Sequence, residues 1–164
     1  MELTFISQSP HETIGCGKLL GSIVQPGSII GLVGELGAGK TCFIKGLASA
    51  LTGVAEDDVT SPTFTLLQEF PAAIPLYHFD LYRIAALDDL RDLGFEECVY
   101  GAGVTVIEWA DRAEGALPPE CLTIHISVID ESRRAFIFKA RGEKHTEIIK
   151  KLKQKTGGGT NEWH

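Results

Sequence analysis

The stretch "SIIGLVGELGAGKTCFIKGLASAL", residues 28–51, decides the fold. Its first six residues form an apolar run of the kind buried on both faces of a parallel sheet. Its last twelve place Phe43, Leu47, Ala50 and Leu51 on one helical face toward that sheet, with Gly53 positioned to end the helix. Between them, Gly34, Gly39, Lys40 and Thr41 satisfy G-x-x-x-x-G-K-[ST], and the strand before and helix after are the context a true phosphate loop requires. Each residue type answers a physical demand. Gly37 and Gly39 permit positive backbone dihedrals and leave room for N–H groups to face phosphate oxygens. The helix beginning near Lys40 adds its positive dipole end, the ammonium reaches the β- and γ-phosphates, and the Thr41 hydroxyl can ligate magnesium.

Working outward, "ELTFI" at residues 2–6 reads as an edge strand. Ser9-Pro10-His11-Glu12 offers a capping box with proline at the first helical position, and predicts a helix from Pro10 to Ile23. Beyond the phosphate loop, "TSPTFTLLQEF" and "IPLYHFD" read as two strands joined by a short linker, and "ALDDLRDLGFEECVY" as one or two short helices. "VTVIEW" is a second strongly apolar strand that ends on an acid; "CLTIHISVI" and "RAFIFKA" flank "DESR" as an antiparallel hairpin. "EKHTEIIKKLKQK" predicts a last amphipathic helix, and "TGGGTNEWH" a flexible end. The sum is a single-domain α/β fold of the P-loop NTPase type, with a mixed parallel and antiparallel sheet flanked by helices. The expected limits are a nucleotide-binding domain over 1–140, a basic helix over 141–156 and a tail over 157–164.

At 164 residues the chain fits one domain, and 44% hydrophobic against 23% charged residues excludes a disordered composition. No apolar run approaches the ~20 residues that span a bilayer, and the start resembles no signal peptide, so the expected location is the cytoplasm. Cys16, Cys42, Cys98 and Cys121 lack the spacing of a zinc clip or redox pair and read as small buried hydrophobes, with Cys42 alone beside the phosphate loop. The net charge of −7 is uneven: residues 1–140 carry 9 Lys/Arg against 19 Asp/Glu, residues 141–155 carry 6 against 2. The body therefore repels a polyanion. The basic segment could touch RNA, although lysines complementing a helix dipole are the simpler reading.

A phosphate site with magnesium also needs an acid at the end of a neighbouring strand. Glu108 follows an apolar run, as expected of a carboxylate delivered to the carboxyl end of a parallel strand, and is the first choice for metal contact. Asp80 in "YHFDLYR" could orient the attacking water, act as base, or reach the metal through water. Thr63 and Thr65 lie where the chain returns past the γ-phosphate, as a switch segment stiffened by Pro62 would. His78 and His125, without metal-ligand spacing, read as ordinary sheet histidines, and Trp109 as packing that could cover the site. Between Lys45 and Arg133 the only cations are Arg83, Arg91 and Arg112, with no close basic cluster. This argues against a kinase lid and for slow hydrolysis completed by a partner.

"GELGAGKT", "SPTFTL", "YHFDLYR" and "VIEW", in this order, resemble the bacterial TsaE (YjeE) family, the ATPase component of tRNA threonylcarbamoyladenosine synthesis, over residues 1 to about 140. The resemblance implies a protein that binds ATP and magnesium, is weakly active alone, and works with TsaB- and TsaD-like partners that perform the transfer to tRNA. By position it implies a phosphate cradle of Glu35, Leu36, Gly37, Ala38, Gly39, Lys40, Thr41 and Cys42, with Thr41 and Glu108 as metal ligands. It makes Lys40, Asp80 and Glu108 the catalytic set, gives Thr63 to the switch-like segment, and lays Arg133, or its neighbour Arg134, along the nucleotide. Ala110 stands where the family often has proline. The rival readings are a small-molecule kinase with Asp80 as base, and a nucleotide-sensing module without required turnover. No "NKxD" is present, which favours ATP over GTP and leaves base recognition to residues near Ser9–Thr13 or Arg133.

Overall fold

The computed structural model describes residues 1–113 and 115–156; the flexible end expected at 157–164 lies outside the described residues. Seven strands form one mixed sheet in the order β1-β7-β6-β2-β5-β4-β3. They are β1 (Glu2–Ser7), β2 (Ile29–Val33), β3 (Leu67–Phe70), β4 (Leu76–Asp80), β5 (Val104–Glu108), β6 (Leu122–Val128) and β7 (Arg134–Ala140). The middle four, β6-β2-β5-β4, run parallel, whereas β1, β7 and β3 pair antiparallel at the flanks. The apolar runs 29–33 and 104–108 are thus the inner parallel strands, buried nearly throughout. Glu2–Ser7 is an edge strand, and β6 and β7 make the expected hairpin.

Among the described residues five α-helices follow: α1 (Pro10–Ile23), α2 (Lys40–Thr52), α3 (Asp88–Asp92), α4 (Phe95–Val99) and α5 (Glu143–Lys155). Ser9 caps α1 by accepting from the Glu12 amide at 3.2 Å, and the Glu12 carboxylate accepts from the Gln8 amide at 2.6 Å. The capping box therefore closes one residue earlier than the usual reciprocal pair. Gly53, left-handed at φ +80°, ends α2. One core forms where α1, α2 and α5 cover the sheet, and a second where α3 and α4 cover the other face of β2, β5 and β4. The basic helix α5 seats Ile148, Ile149 and Leu152 in the first core, and leaves Lys150, Lys151 and Lys155 exposed. Among the described residues no helix is long and apolar enough to cross a membrane.

Two expectations need correction. Ala50 does not face the sheet: it is exposed, Leu51 is half-buried, and Ile44 and Ala48 join Phe43 and Leu47 in the core. The cause is α1, which packs so tightly on α2 that the buried stripe turns toward it. Gly17, Gly21 and Gly46 make that approach possible, since a Cβ on any of them would fall under 3.0 Å from the other helix. The strand predicted from Thr60 begins only at Leu67. Pro62 has no N–H to give a ladder, the Leu66 amide turns back to the Pro62 carbonyl at 2.7 Å, and Leu66 itself is left-handed at φ 67°. Residues 60–66 are therefore a loop, and they lie across the carboxyl ends of the parallel strands.

Candidate functional site

The loop between β2 and α2 sits at the carboxyl edge of the parallel strands, the edge where open α/β sheets bind ligands. Gly37 (φ +79°) and Gly39 (φ +106°) take the left-handed conformations that a side chain would resist, and α2 opens at Lys40 directly after them. Beside the loop, β4 and β5 end in register, pairing Asp80 with Glu108. Both carboxylates are 2% exposed, so the fold holds two acids almost out of water beside one glycine-rich turn. A cavity of about 430 Å³ joins these parts, lined by Leu36–Cys42, Ser61, Thr63, Asp80, Tyr82, Glu108 and Trp109.

Lys40 lies at the centre. Its Nζ donates to the carbonyls of Gly34 and Glu35, the latter at 3.0 Å, and rests 3.8 Å from the centre of the Trp109 ring. Glu35 thus contributes through its backbone and does not line the cavity. Burial pushes the Lys40 ammonium below the ordinary lysine range, while the negative charges of Glu108, Asp80 and Asp111 pull it back up. Trp109 reaches this position because its backbone is left-handed, φ 58°, immediately after β5. A non-glycine residue there stores roughly 1–3 kcal/mol of strain, which fits a position whose direction matters.

The loop 60–66 is tied to both acids. Thr63 Oγ1 donates to Asp80 Oδ2 at 3.0 Å, and the Tyr82 amide donates to Asp80 Oδ1 at 2.9 Å. Ser61 Oγ donates to Glu108 Oε2 at 3.1 Å and lies 2.7 Å from Thr41 Oγ1. The Thr41 hydroxyl and the Glu108 carboxylate therefore converge on one point. Thr65, by contrast, is an exposed loop residue. The rim is apolar and cationic: Leu36 is 78% and Phe64 82% exposed, Arg83 stacks on Phe64 at 4.6 Å, and Arg112 lies over Tyr82 and Trp109. Among the described residues that line the cavity, Lys40 is the only Lys or Arg.

A smaller cavity of about 120 Å³ continues from Gly37, Gly39 and Cys42 to Pro10, Thr13, Glu131, Ser132 and Arg134. The arginine here is Arg134, whereas Arg133, the residue expected along the nucleotide, turns to the hairpin and binds Asp130 at 2.7 Å. The physical reason is the turn itself: Asp130 accepts from the Ser132 and Arg133 amides, which fixes Arg133 over its own loop. All four cysteines are free, with Cys16, Cys98 and Cys121 buried and Cys42, half-buried, at the cavity wall.

Sequence reading missed two residues. His78, taken for a sheet histidine, is fully buried with Nε2 2.8 Å from Glu108 Oε2. Ser61 carries no role in the sequence reading, although it opens the same segment as Thr63. The i, i+2 spacing in "HFD" places His78 on the same face of β4 as Asp80, and the parallel register of β4 and β5 brings that face beside Glu108.

With this geometry in view, the comparisons with known proteins are specific. Residues 7–136 match the family model described as threonylcarbamoyl adenosine biosynthesis protein TsaE. The chain is 46% identical over 129 residues to the tRNA threonylcarbamoyladenosine biosynthesis protein TsaE of Treponema pallidum, covering 79% of this chain and 94% of that one. It is 39% identical over 152 residues to the protein of the same name from Bacillus subtilis, covering 92% and 94%. The crystal structure of Bacillus subtilis YdiB superposes with a TM-score of 0.78 at 34% identity, over 94% of this chain and 96% of that one. Matches of this extent, over a fold and a loop of this form, place the chain in the TsaE family of tRNA threonylcarbamoyladenosine biosynthesis proteins.

Proposed function

We propose that this chain is a magnesium-dependent ATPase subunit that acts with TsaB- and TsaD-like partners in forming threonylcarbamoyladenosine in tRNA. The observation that carries the reading is the register of Asp80 and Glu108 beside the glycine-rich loop, which gathers a phosphate cradle and two carboxylates at one sheet edge. Magnesium suits the residues present. Thr41 Oγ1 and Glu108 are hard oxygen donors within hydrogen-bond reach of a common atom, Ser61 Oγ. Among the described residues no group of three or more His, Cys, Asp and Glu forms a protein-only cage. A site of one or two protein oxygens, completed by phosphate and water, is the magnesium pattern. When bound, magnesium would neutralise phosphate charge and orient the terminal phosphate for in-line attack.

The protein's own contributions follow from geometry. Gly37, Ala38, Gly39 and the first turn of α2, with Thr41 and Cys42, cradle the phosphates through their backbone N–H groups and the helix dipole. Lys40 carries its ammonium, the one Lys or Arg among the described residues that line the cavity, to the β- and γ-phosphates, leaving the loop carbonyls for a more strongly charged acceptor. Asp80 has each oxygen held by a donor from its own side of the site, so it is fixed in place to orient water or accept its proton. Thr63, bonded to Asp80, couples the 60–66 loop to the same event. Arg134 and the Pro10–Thr13 turn supply the place for nucleoside, in the cavity that continues from Gly39.

One cation is little charge for a phosphoryl transition state, because enzymes of this type use further positive groups worth about 10³–10⁵ in rate. Arg83 and Arg112 are engaged with aromatic rings at the rim. This supports partner-stimulated turnover, with the exposed Phe64 and Leu36 as the contact surface. The exposed Lys150, Lys151 and Lys155 of the basic helix α5 offer a surface for direct contact with tRNA. The test is steady-state ATP hydrolysis with and without magnesium: Lys40→Ala and Glu108→Ala are expected to lose most turnover, and wild-type rates in either would refute the site. The tie between Thr63 and Asp80 also favours a sensing role, which predicts that a hydrolysis-dead variant still binds partners in an ATP-dependent way.

A further inference from the structure

The Glu108 carboxylate is held by two side chains to which nothing above assigns a chemical task. His78 approaches Oε2 with Nε2 at 2.8 Å, in a position fully closed to solvent. A carboxylate oxygen only accepts, so Nε2 carries the hydrogen and donates it. The other ring nitrogen, Nδ1, is buried without a hydrogen-bond partner among the described residues. An unpartnered buried polar atom costs stability, and an aliphatic side chain would fill the same space without that cost. The imidazole is therefore explained by what Nε2–H does for Glu108, and packing alone does not account for it.

Ser61 completes the arrangement. Its single hydrogen goes to Glu108, 3.1 Å from Oε2 and 3.4 Å from Oε1. The 2.7 Å contact with Thr41 must then be a donation from the Thr41 hydroxyl to Ser61 Oγ. Hydrogens run in one direction, from Thr41 to Ser61 to Glu108, and from His78 to Glu108 on the other side. Oε2 takes the two shorter bonds, which leaves Oε1 and the outer lone pairs of Thr41 Oγ1 as the oxygens least engaged by protein.

We infer that His78 and Ser61 are positioning residues that preset Glu108 and Thr41 as a pair of oxygen ligands for magnesium. This rests on the magnesium reading of the site. Outer partners of ligating carboxylates typically govern metal affinity by about 10–100-fold.

The experiment measures the magnesium concentration that half-saturates the enhancement of ADP or ATP-analogue affinity, alongside nucleotide affinity in excess chelator and circular dichroism. His78→Leu is expected to raise the half-saturating concentration by about 10–100-fold, and Ser61→Ala by about 10-fold. His78→Gln, which keeps an amide donor near the Nε2 position, is expected to restore most of the difference. Affinity in chelator is expected to stay as in wild type. Folded His78→Leu and Ser61→Ala proteins with wild-type magnesium dependence would overturn the inference, as would an equal loss of affinity in chelator. Should His78→Leu not fold, Ser61→Ala and His78→Gln still decide it, the first by a raised and the second by a near-wild-type requirement. Wild-type protein whose nucleotide affinity ignores magnesium would instead remove the metal reading and this inference together.

Discussion

The same substitution, glycine to alanine, is expected to have opposite effects at two helical positions. At Gly46, in the middle of α2, an added Cβ would come 2.8 Å from the Lys18 amide nitrogen of α1 and closer still to the Ile14 carbonyl oxygen. Ordinary contact starts at 3.4 Å, and both obstacles are backbone, so the two helices must move apart. Overpacking of this kind costs about 1–3 kcal/mol, and the rigid obstacle argues for the upper end. Alanine returns roughly 1 kcal/mol of helix propensity, for a net loss of about 2 kcal/mol. At Gly15, within α1, an added Cβ meets nothing within 4 Å, and only the gain of about 1 kcal/mol remains. For a chain of this size 1 kcal/mol moves Tm by about 2–4 °C. Gly46→Ala should therefore melt about 4–8 °C below wild type and Gly15→Ala about 2–4 °C above it, measured by circular dichroism or calorimetry. A Gly46→Ala protein as stable as Gly15→Ala would refute the close glycine-mediated crossing that aims α2 at the site.

Arg134→Ala is expected to weaken nucleotide binding about 10-fold, or about 1.4 kcal/mol, and Arg133→Ala to leave it nearly unchanged, as titration calorimetry with ADP can measure. Phe64→Ala should reduce stimulation by the partner proteins while intrinsic nucleotide affinity stays as in wild type; equal loss in both would contradict a contact role for the rim. Burial, followed by the neighbouring Lys144, holds the His145 imidazole below the ordinary histidine value, with Nε2 accepting from the Ile29 amide at 3.0 Å. The unfolded chain then takes up this proton at higher pH than the folded one, so the contribution is fully present above about pH 6.5 and is lost as pH falls below it. Denaturant midpoints measured across that window should fall in wild type and fall less in His145→Gln, which keeps an acceptor but cannot be protonated in this range.

The parallel centre of the fold was legible because its signals are local. Residues 28–51 carry a strand, a loop and a helix in one continuous pattern, and "VTVIEW" carries an acid at the end of a buried run. Glu108 and Asp80 could be placed at strand ends before their register was known. What escaped depends on partners distant in sequence. Ala50 was assigned to the sheet face because periodicity sees one helix at a time, whereas the buried stripe of α2 is shared with α1 through Gly17 and Gly46. The Thr60–Leu66 loop looked like a strand because threonine, phenylalanine and leucine suit one; the reversal at Leu66 depends on its bond to Pro62. His78 and Ser61 lie 30 and 47 positions from the carboxylate they touch. The choice between Arg133 and Arg134 turns on the hairpin: the Asp130 side chain binds Arg133, while Arg134, whose Nη1 donates to the Asp130 and Arg133 carbonyls at 2.7 and 2.9 Å, lines the cavity.

The central claim is that ATP turnover at Lys40, Asp80 and Glu108 serves tRNA modification together with partner proteins. Reconstitution tests it most directly: purified chain, TsaB- and TsaD-like proteins, magnesium, threonylcarbamoyl donor and tRNA, with modified nucleoside and phosphate measured in the same samples over many turnovers. The account predicts slow hydrolysis by the chain alone, faster hydrolysis with the partners, and sustained modification that Glu108→Ala abolishes while nucleotide still binds. Sustained multiple-turnover modification by a Glu108→Ala protein that hydrolyses no ATP would contradict it.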